Sequence, residues 1–228
     1  MNTYNFHFSK LFDNKNKNSL VYKLRKRRIL KLTIIIKKIY ANKKSVNIID
    51  FGGTEDYWNL IGINFLKKYK CKITLLNINK FEIKNPNYFL FERRDITKII
   101  NFKKKYDIAF SNSTIEHLYN LKNMTIFSKN LINSAEYYYC QTPNKSFFIE
   151  PHFLFPFFQY LNFSSQLFLI RNFNLGYIGK IRQTEKAIDI LNSIKLLSYD
   201  DVKVLFKNSN IEFEKIFFLK KSIIASNF

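Results

Sequence analysis

Cysteine is scarce in this chain: two in 228 residues, Cys71 and Cys140. Both sit in apolar, strand-like runs with no CxxC spacing and no histidine nearby. That argues against a disulfide framework and against a cysteine-built zinc site. The opening residues, MNTYNFHFSKLFDNKNKNS, lack the apolar core of a secretory signal. A reducing, cytoplasmic location is therefore expected. Acidic residues are also few, 17 against 38 Lys and Arg, for a formal net charge of +21. Such an excess usually prompts a nucleic-acid reading. Arginine, however, supplies only seven of those cations, and Lys, Asn, Ile and Phe together make up half of the chain. This is a global bias of the kind an AT-rich coding sequence produces, so charge alone assigns no function. No internal repeat is present.

What the chain does have is apolar mass. Hydrophobic residues are 46% and aromatics 18%, enough to exclude a disordered chain and to fill one domain with extra segments. Residues 1–18 read as a polar, Asn/Lys-rich arm. Residues 19–40 read as a basic amphipathic helix. On a helical wheel, Val21, Leu24, Leu32, Ile35, Ile36 and Ile39 share one side, and Lys23, Lys26, Arg27, Lys31, Lys37 and Lys38 the other. Arg25, Arg28 and Ile34 break the rule. Such a helix could dock on the main domain with a solvated Lys face, meet an anionic membrane surface at the inner face, or bind nucleic acid.

From residue 45 short β-rich runs alternate with helical patterns, which means βαβ units and a parallel sheet. The runs are SVNIIDFG (45–52), KITLLNI (72–78), YFLFERRD (88–95), YDIAFSNS (106–113) and EYYYCQTPN (136–144). Helices are expected near 55–69, about 97–105 and 119–134, and one or two over 184–210. The end of the chain reads as two strands, IEFEKIFFL and KSIIASN, split at Lys220-Lys221. Residues 145–183 break the pattern: no formal charge lies between Glu150 and Arg171, and aromatics crowd there. Pro156, Gln159, Asn162, Ser164, Ser165 and Gln166 argue against a membrane span. A lid inserted beside a ligand site is expected instead, its aromatics forming a lid core, stacking on an acceptor ring or resting on lipid.

Asp50-Phe51-Gly52-Gly53-Thr54 closes the first strand and leads into a helix. Glycines there let the backbone turn sharply and approach a ligand, and open α/β sheets bind ligands outside the carboxyl ends of their strands. Taken alone, Asp95 could cap a following helix, Asn77 could be a turn residue, and Ser111-Asn112-Ser113 could cap the next helix.

VNIIDFGGTEDYW, TLLNI, ERRDI and YDIAFSNSTIEHL, followed by QTPNKSFFIEPHFLFPFF and LLSYDDVKVLF…KSIIAS, occur in a telling order. Over residues 45–228 the chain resembles the S-adenosylmethionine-dependent methyltransferases of Rossmann-like fold. In particular it is similar to a bacterial subgroup reading roughly DxGGTxxYW and TPNxxFxIEPHFxxPF. The resemblance implies an α/β fold with a seven-stranded, mostly parallel sheet and a reversed last strand, preceded by the arm and basic helix (1–44), with the lid after strand five. It implies that Asp50, Gly52 and Gly53, with Thr54 beside them, wrap the methionine part and ribose of S-adenosylmethionine. Asn77 stands where the family places a ribose-binding acid; it can accept a hydrogen bond but brings no charge, and Asn79 follows. Asp95 corresponds to the acid that meets the adenine amino group, with Ile96 supplying backbone contacts. Ser111 and Asn112 face the methyl-transfer centre in the family.

Methyl transfer to a hydroxyl benefits from a general base, and histidine suits that near neutral pH. His7 lies in the arm. His117, next to Glu116, and His152, after Glu150 and Pro151, border the same sheet edge in this fold and could converge. His152 is the expected base and His117 the second candidate. Glu116-His117 is similar to the acid–histidine pair of ubiquinone-pathway O-methyltransferases, which can hold a divalent metal. Those carry a further upstream acid where this chain has Asn112, so no metal is expected. The acceptor expected is a small molecule or a glycan- or lipid-linked group, methylated on oxygen. The rivals are a nucleic-acid methyltransferase, for which NPPY-like and RNA-binding motifs are absent, and a non-catalytic module at a membrane, suggested by Asn77 and a missing third glycine.

Overall fold

The computed structural model describes residues 17–228; most of the expected arm, His7 and the side chain of Val21 lie outside the described residues. Helix α1 (Leu20–Lys43) opens on Ser19, whose hydroxyl accepts the Tyr22 N–H at 3.0 Å. It ends where Lys44 takes a left-handed conformation and donates its N–H to the Tyr40 carbonyl. Ile29, Leu32, Ile35, Ile36 and Ile39 are buried against the sheet, while the lysine face is solvated. The wheel's exceptions are real: Ile34 is 70% exposed and Arg28 only 5%. The apolar face of α1 is thus covered by the domain. No helix among the described residues is long and apolar enough to cross a membrane.

Strands β1 (Val46–Phe51), β2 (Cys71–Asn77), β3 (Phe89–Arg93), β4 (Tyr106–Asn112) and β5 (Ala135–Pro143) run parallel. A two-strand ribbon, β6 (Ile149–Glu150) with β7 (Phe155–Pro156), stands apart. The last two strands, β8 (Asn210–Ile216) and β9 (Leu219–Ser226), form a hairpin whose β9 lies antiparallel to β5. The main sheet has seven strands in the order β3-β2-β1-β4-β5-β9-β8. Strand order reverses between β1 and β4, so the carboxyl ends of those two strands open the crevice where such sheets take ligands. The continuous apolar runs of the central strands fit burial on both faces. One face carries α1, α2 (Glu55–Trp58) and α3 (Ile63–Lys68). The other carries α4 (Leu121–Ser134) and α7 (Tyr199–Leu205), through Met124, Phe127, Leu131, Val202 and Leu205.

Three local expectations are corrected. The stretch 55–69 is two short helices: the first ends at Trp58 with Asn59 as its C-cap, and Gly62, at a φ of +85°, opens the second. No helix forms over 97–105. There Asn130 of α4 accepts the Ile100 N–H and donates its amide to the carbonyls of Ile96 and Lys98. A side chain thereby satisfies backbone groups that a helix would have paired internally. The final turn falls at Phe217-Phe218, not at Lys220-Lys221. Phe217 takes the left-handed backbone a tight hairpin requires, both phenylalanines are exposed, and both lysines lie within β9.

Residues 145–183 contain the β6–β7 ribbon and α5 (Phe163–Asn172). Phe153, Phe158, Ile170 and Leu175 form a separate apolar cluster with Ala187 of α6 (Thr184–Ser193), so this core extends past the expected boundary. Phe153 and Phe158 stack at 4.2 Å between centroids, whereas Phe157 and Tyr160 are exposed.

Candidate active site

The glycine turn after β1 is built around Asp50. Its carboxylate is buried, and Oδ2 accepts the Trp58 indole N–H at 2.8 Å, while Oδ1 has no partner among the described residues. Burial pushes the Asp50 carboxyl up to about 7. Gly53 has no room for a side chain: a Cβ there would lie 1.8 Å from Asp50 Oδ2. Gly52 has a φ of +82°, and a Cβ on it would fall 2.5 Å from Thr114 Cγ2. The hydroxyls of Ser111 and Thr114 both donate to the Phe51 carbonyl, at 3.0 and 3.1 Å, which ties the end of β4 to this turn. Ser111 is fully buried in doing so, and its hydroxyl holds the turn. Thr54 precedes α2 without capping it through its side chain. Glu55 instead accepts the N–H groups of Lys84 and Asn85, pinning the loop after β2 over the turn.

Asn77 closes β2, and its Oδ1 accepts the Asn79 N–H at 3.2 Å; the two asparagines form one local turn. Asp95 is exposed, and its Oδ1 accepts both the N–H and the hydroxyl of Thr97, which holds its carboxyl below the usual range. It caps a turn rather than a helix. Ile96 beside it is buried. The residues around Asp50 and the end of β4 are thus drawn together, while Asn77 and Asp95 line the ends of the outer strands.

Beyond β4 the chain turns at Ser113 (φ +54°) into a short 3-10 helix, Ile115–His117. Glu116 points inward and is fully buried. Its Oε2 accepts the Thr142 hydroxyl at 3.0 Å, and Oε1 has no partner among the described residues. Burial raises its carboxyl to about 7. His152 is fixed by Glu150, which accepts Nδ1–H at 2.7 Å through one oxygen and the N–H groups of His152 and Phe153 through the other. Burial alone would lower the His152 pKa, but the Glu150 carboxylate outweighs it and the net shift is upward. With Nδ1 donating to Glu150, neutral His152 presents Nε2 as a lone pair. That atom lies 3.3 Å from His117 Nε2, the rings edge to face. Burial and the neighbouring His152 depress His117 to about 4. The convergence anticipated for the two histidines is met, with Glu116 as a third partner: one ligand atom from each lies within 4.8 Å of the others. A divalent cation could be held by that set, with Glu150 orienting His152 from behind.

The component that sequence reasoning missed is arginine from α1. Arg28 Nε and Nη2 donate to the two oxygens of Glu214 in β8, at 2.7 and 2.8 Å. Its Nη1 donates to Asn112 Oδ1 at 2.7 Å and Gln141 Oε1 at 2.9 Å. Asn112 therefore does reach the crevice, but its oxygen is bound to a guanidinium. Arg25 lies one turn earlier, 5.0 Å above the Tyr57 ring. Both line a cleft of about 290 Å³, with His152, Glu116, Phe147 and Lys221 among its other walls. The only signal for this in the sequence was that Arg25 and Arg28 sat on the wrong side of the wheel.

No protein-family model matches this chain, and no curated protein matches it. Solved structures do. The methyltransferase domain of bacterial CtHen1 is 14% identical, with 89% of this chain and 98% of that one covered and a TM-score of 0.49. Magnesium protoporphyrin IX methyltransferase from Synechocystis PCC 6803 is 10% identical over 100% of this chain and 96% of that one, TM-score 0.49. A Rhodobacter sphaeroides protein described as a Zn-dependent alcohol dehydrogenase is 11% identical over 80% and 83%, TM-score 0.50. At such identities the likeness concerns the fold alone, and the fold is Rossmann-like α/β with a seven-stranded, mostly parallel sheet.

Proposed function

We propose that this chain transfers the methyl group of S-adenosylmethionine to an oxygen of a small-molecule or glycan- or lipid-linked acceptor. One observation carries the reading. At the point where strand order reverses, a buried carboxylate with an unpartnered oxygen stands behind a glycine turn that admits no side chain. A cradle of that shape suits a bulky ligand bearing N–H groups or positive charge, as this cofactor does. When bound, the cofactor supplies an electrophilic methyl on sulfonium.

The chain's own residues have two tasks. Asp50, Gly52, Gly53 and Thr54 hold the methionine end, while Asn77, Asp95 and Ile96 line the ribose and adenine end. Around the cleft, His152 accepts the acceptor's hydroxyl proton on Nε2, because Glu150 keeps Nδ1 protonated and favours the imidazolium that forms. His117 stays neutral beside it and shares its proton network. Phe147 and the apolar walls of the cleft exclude water from the transfer.

Calorimetry with S-adenosylhomocysteine on the wild type and on Gly52→Arg tests the cofactor. Binding abolished by the substitution supports the reading, and no binding to the folded wild type removes it. For the base, turnover on an identified acceptor should collapse in His152→Ala. Unchanged turnover rejects that role.

A second reading has its own observation: Glu116, His117 and His152 offer three converging ligand atoms, and one oxygen of Glu116 has no partner among the described residues. Under it Glu116, His117 and His152 would hold a divalent cation, which would supply Lewis-acid polarisation of the acceptor. Metal content of the purified chain and of His117→Gln, by plasma mass spectrometry after dialysis against Mn²⁺, separates the two.

A further inference from the structure

The cleft beside His152 gathers cations faster than it gathers counterions. Arg25, Arg28 and Lys221 all line it. Arg28 is saturated: Glu214 takes two of its donors, and Asn112 and Gln141 take two more. The side chains of Arg25 and Lys221 make no ion pair or hydrogen bond among the described residues. Glu214 is committed to Arg28 and Glu150 to His152 and two backbone N–H groups, while Glu116 gives one oxygen to the Thr142 hydroxyl and burial raises its carboxyl to about 7, which favours the neutral form. The surroundings work against both free cations. Burial and the charge of Arg28 lower the pKa of Arg25 and bring Lys221 down to about 8, outweighing the opposite pull of Asp56 on Arg25 and of Glu214 on Lys221, neither of which lies within ion-pair distance.

Partly buried like charges without counterions contribute nothing to stability. Arg25 is further restrained by its place over Tyr57. A rigid planar fork and a point charge that both line one small cleft suit a tetrahedral, multiply charged oxyanion. An extended neutral acceptor would instead leave both cations desolvated and unpaired.

We propose that Arg25 and Lys221 form a phosphate subsite, so that the acceptor presented to His152 carries a phosphate or diphosphate group. The proposal rests on the methyl-transfer reading for the word acceptor, but the subsite itself does not need the cofactor. Its chemistry would be met equally by a soluble phosphorylated compound or by a lipid-linked phosphate.

The test is pyrophosphate binding by calorimetry at near-physiological salt, where diffuse attraction to a +21 chain is largely screened. Wild type should bind, and Lys221→Met and Arg25→Gln should each weaken binding at least about tenfold. Lys31→Met, on the outer face of α1, should leave it unchanged. Absence of binding to the wild type, or equal binding by all four chains, overturns the subsite. Acetate competing as well as pyrophosphate also overturns it. Flotation with vesicles containing phosphatidic acid distinguishes the sources. Flotation lost in Lys221→Met assigns the phosphate to a lipid, and no flotation with intact pyrophosphate binding assigns it to a soluble compound. S-adenosylhomocysteine binding is read on the same samples. If it persists while pyrophosphate fails, only this inference falls. If it is absent while pyrophosphate binds, the subsite stands and the methyl-transfer reading falls.

Discussion

Arg28 and Glu214 are 186 positions apart in the chain and grip each other through two parallel hydrogen bonds, with both side chains about 5% exposed. The pair joins the N-terminal helix to the β8–β9 hairpin across the end of β5, and Asn112 and Gln141 complete the guanidinium's shell. Removing one partner strands the other in a low-dielectric site. Arg28→Met is expected to lower unfolding free energy by roughly 3–5 kcal/mol. Arg28→Met combined with Glu214→Leu should recover most of that loss. Urea denaturation of the three variants checks the order; a double variant as weak as the single one contradicts it.

Two glycines with positive or crowded backbones should respond differently to the same added methyl group. Gly53→Ala drives a Cβ into the Asp50 carboxylate, so S-adenosylhomocysteine binding should fall by at least about tenfold. Gly62→Ala meets open space at a φ of +85°. It should cost only about 1–2 kcal/mol of left-handed strain and leave ligand binding intact. Melting temperature and calorimetry on both variants read the contrast.

Asp50 gives the protein a pH dependence whose sign is fixed by burial. Its folded carboxyl titrates at about 7, above an unfolded value of about 3.9. The folded state therefore binds the proton more tightly. The stability this contributes is fully present below about pH 3.9 and is lost as pH rises toward 7. The loss amounts to ~4 kcal/mol at most. Asp50→Asn should remove that slope, which is the difference between the two chains' urea midpoints across this window. Parallel midpoints would contradict the assignment.

Asn130 replaces a helix. Its amide makes three hydrogen bonds to the backbone of residues 96–100, and this is the segment that follows Asp95. Asn130→Leu should cost about 2–4 kcal/mol and raise amide exchange in the loop selectively. Exchange that rises evenly through the sheet would indicate general weakening instead.

Much of this architecture could be read from residues. Buried parallel strands are continuous apolar runs, and β1, β2, β4 and β5 stood out as such. A glycine pair after a strand is often only a tight turn, so Asp50–Gly53 stood out through the resemblance carried by the surrounding motifs, and the same fold put His117 and His152 on one sheet edge. What stayed hidden were interactions closed by distant partners. Helical periodicity treats an arginine as surface, so Arg28 looked like a flaw in the wheel until Glu214, Asn112 and Gln141 supplied four acceptors. Residues 97–105 have helix-compatible composition, and nothing local announces that Asn130 takes their backbone groups. The two lysines Lys220-Lys221 interrupt an otherwise apolar run and so look like the last turn. There the hairpin register, which sets Lys215 opposite Lys220 and Ile216 opposite Leu219, leaves two phenylalanines to make it.

The clasp between Arg28 and Glu214 also bears on the order in which the molecule is made. Arg28 emerges from the ribosome early, on a helix whose apolar face is ready to settle against the first strands. Its counterion arrives only with β8, after all five parallel strands have been synthesised. Until then the helix can rest on the growing sheet but cannot bury its guanidinium. Closure of the N-terminal helix is thus a late event in biosynthesis, licensed by the arrival of the final hairpin.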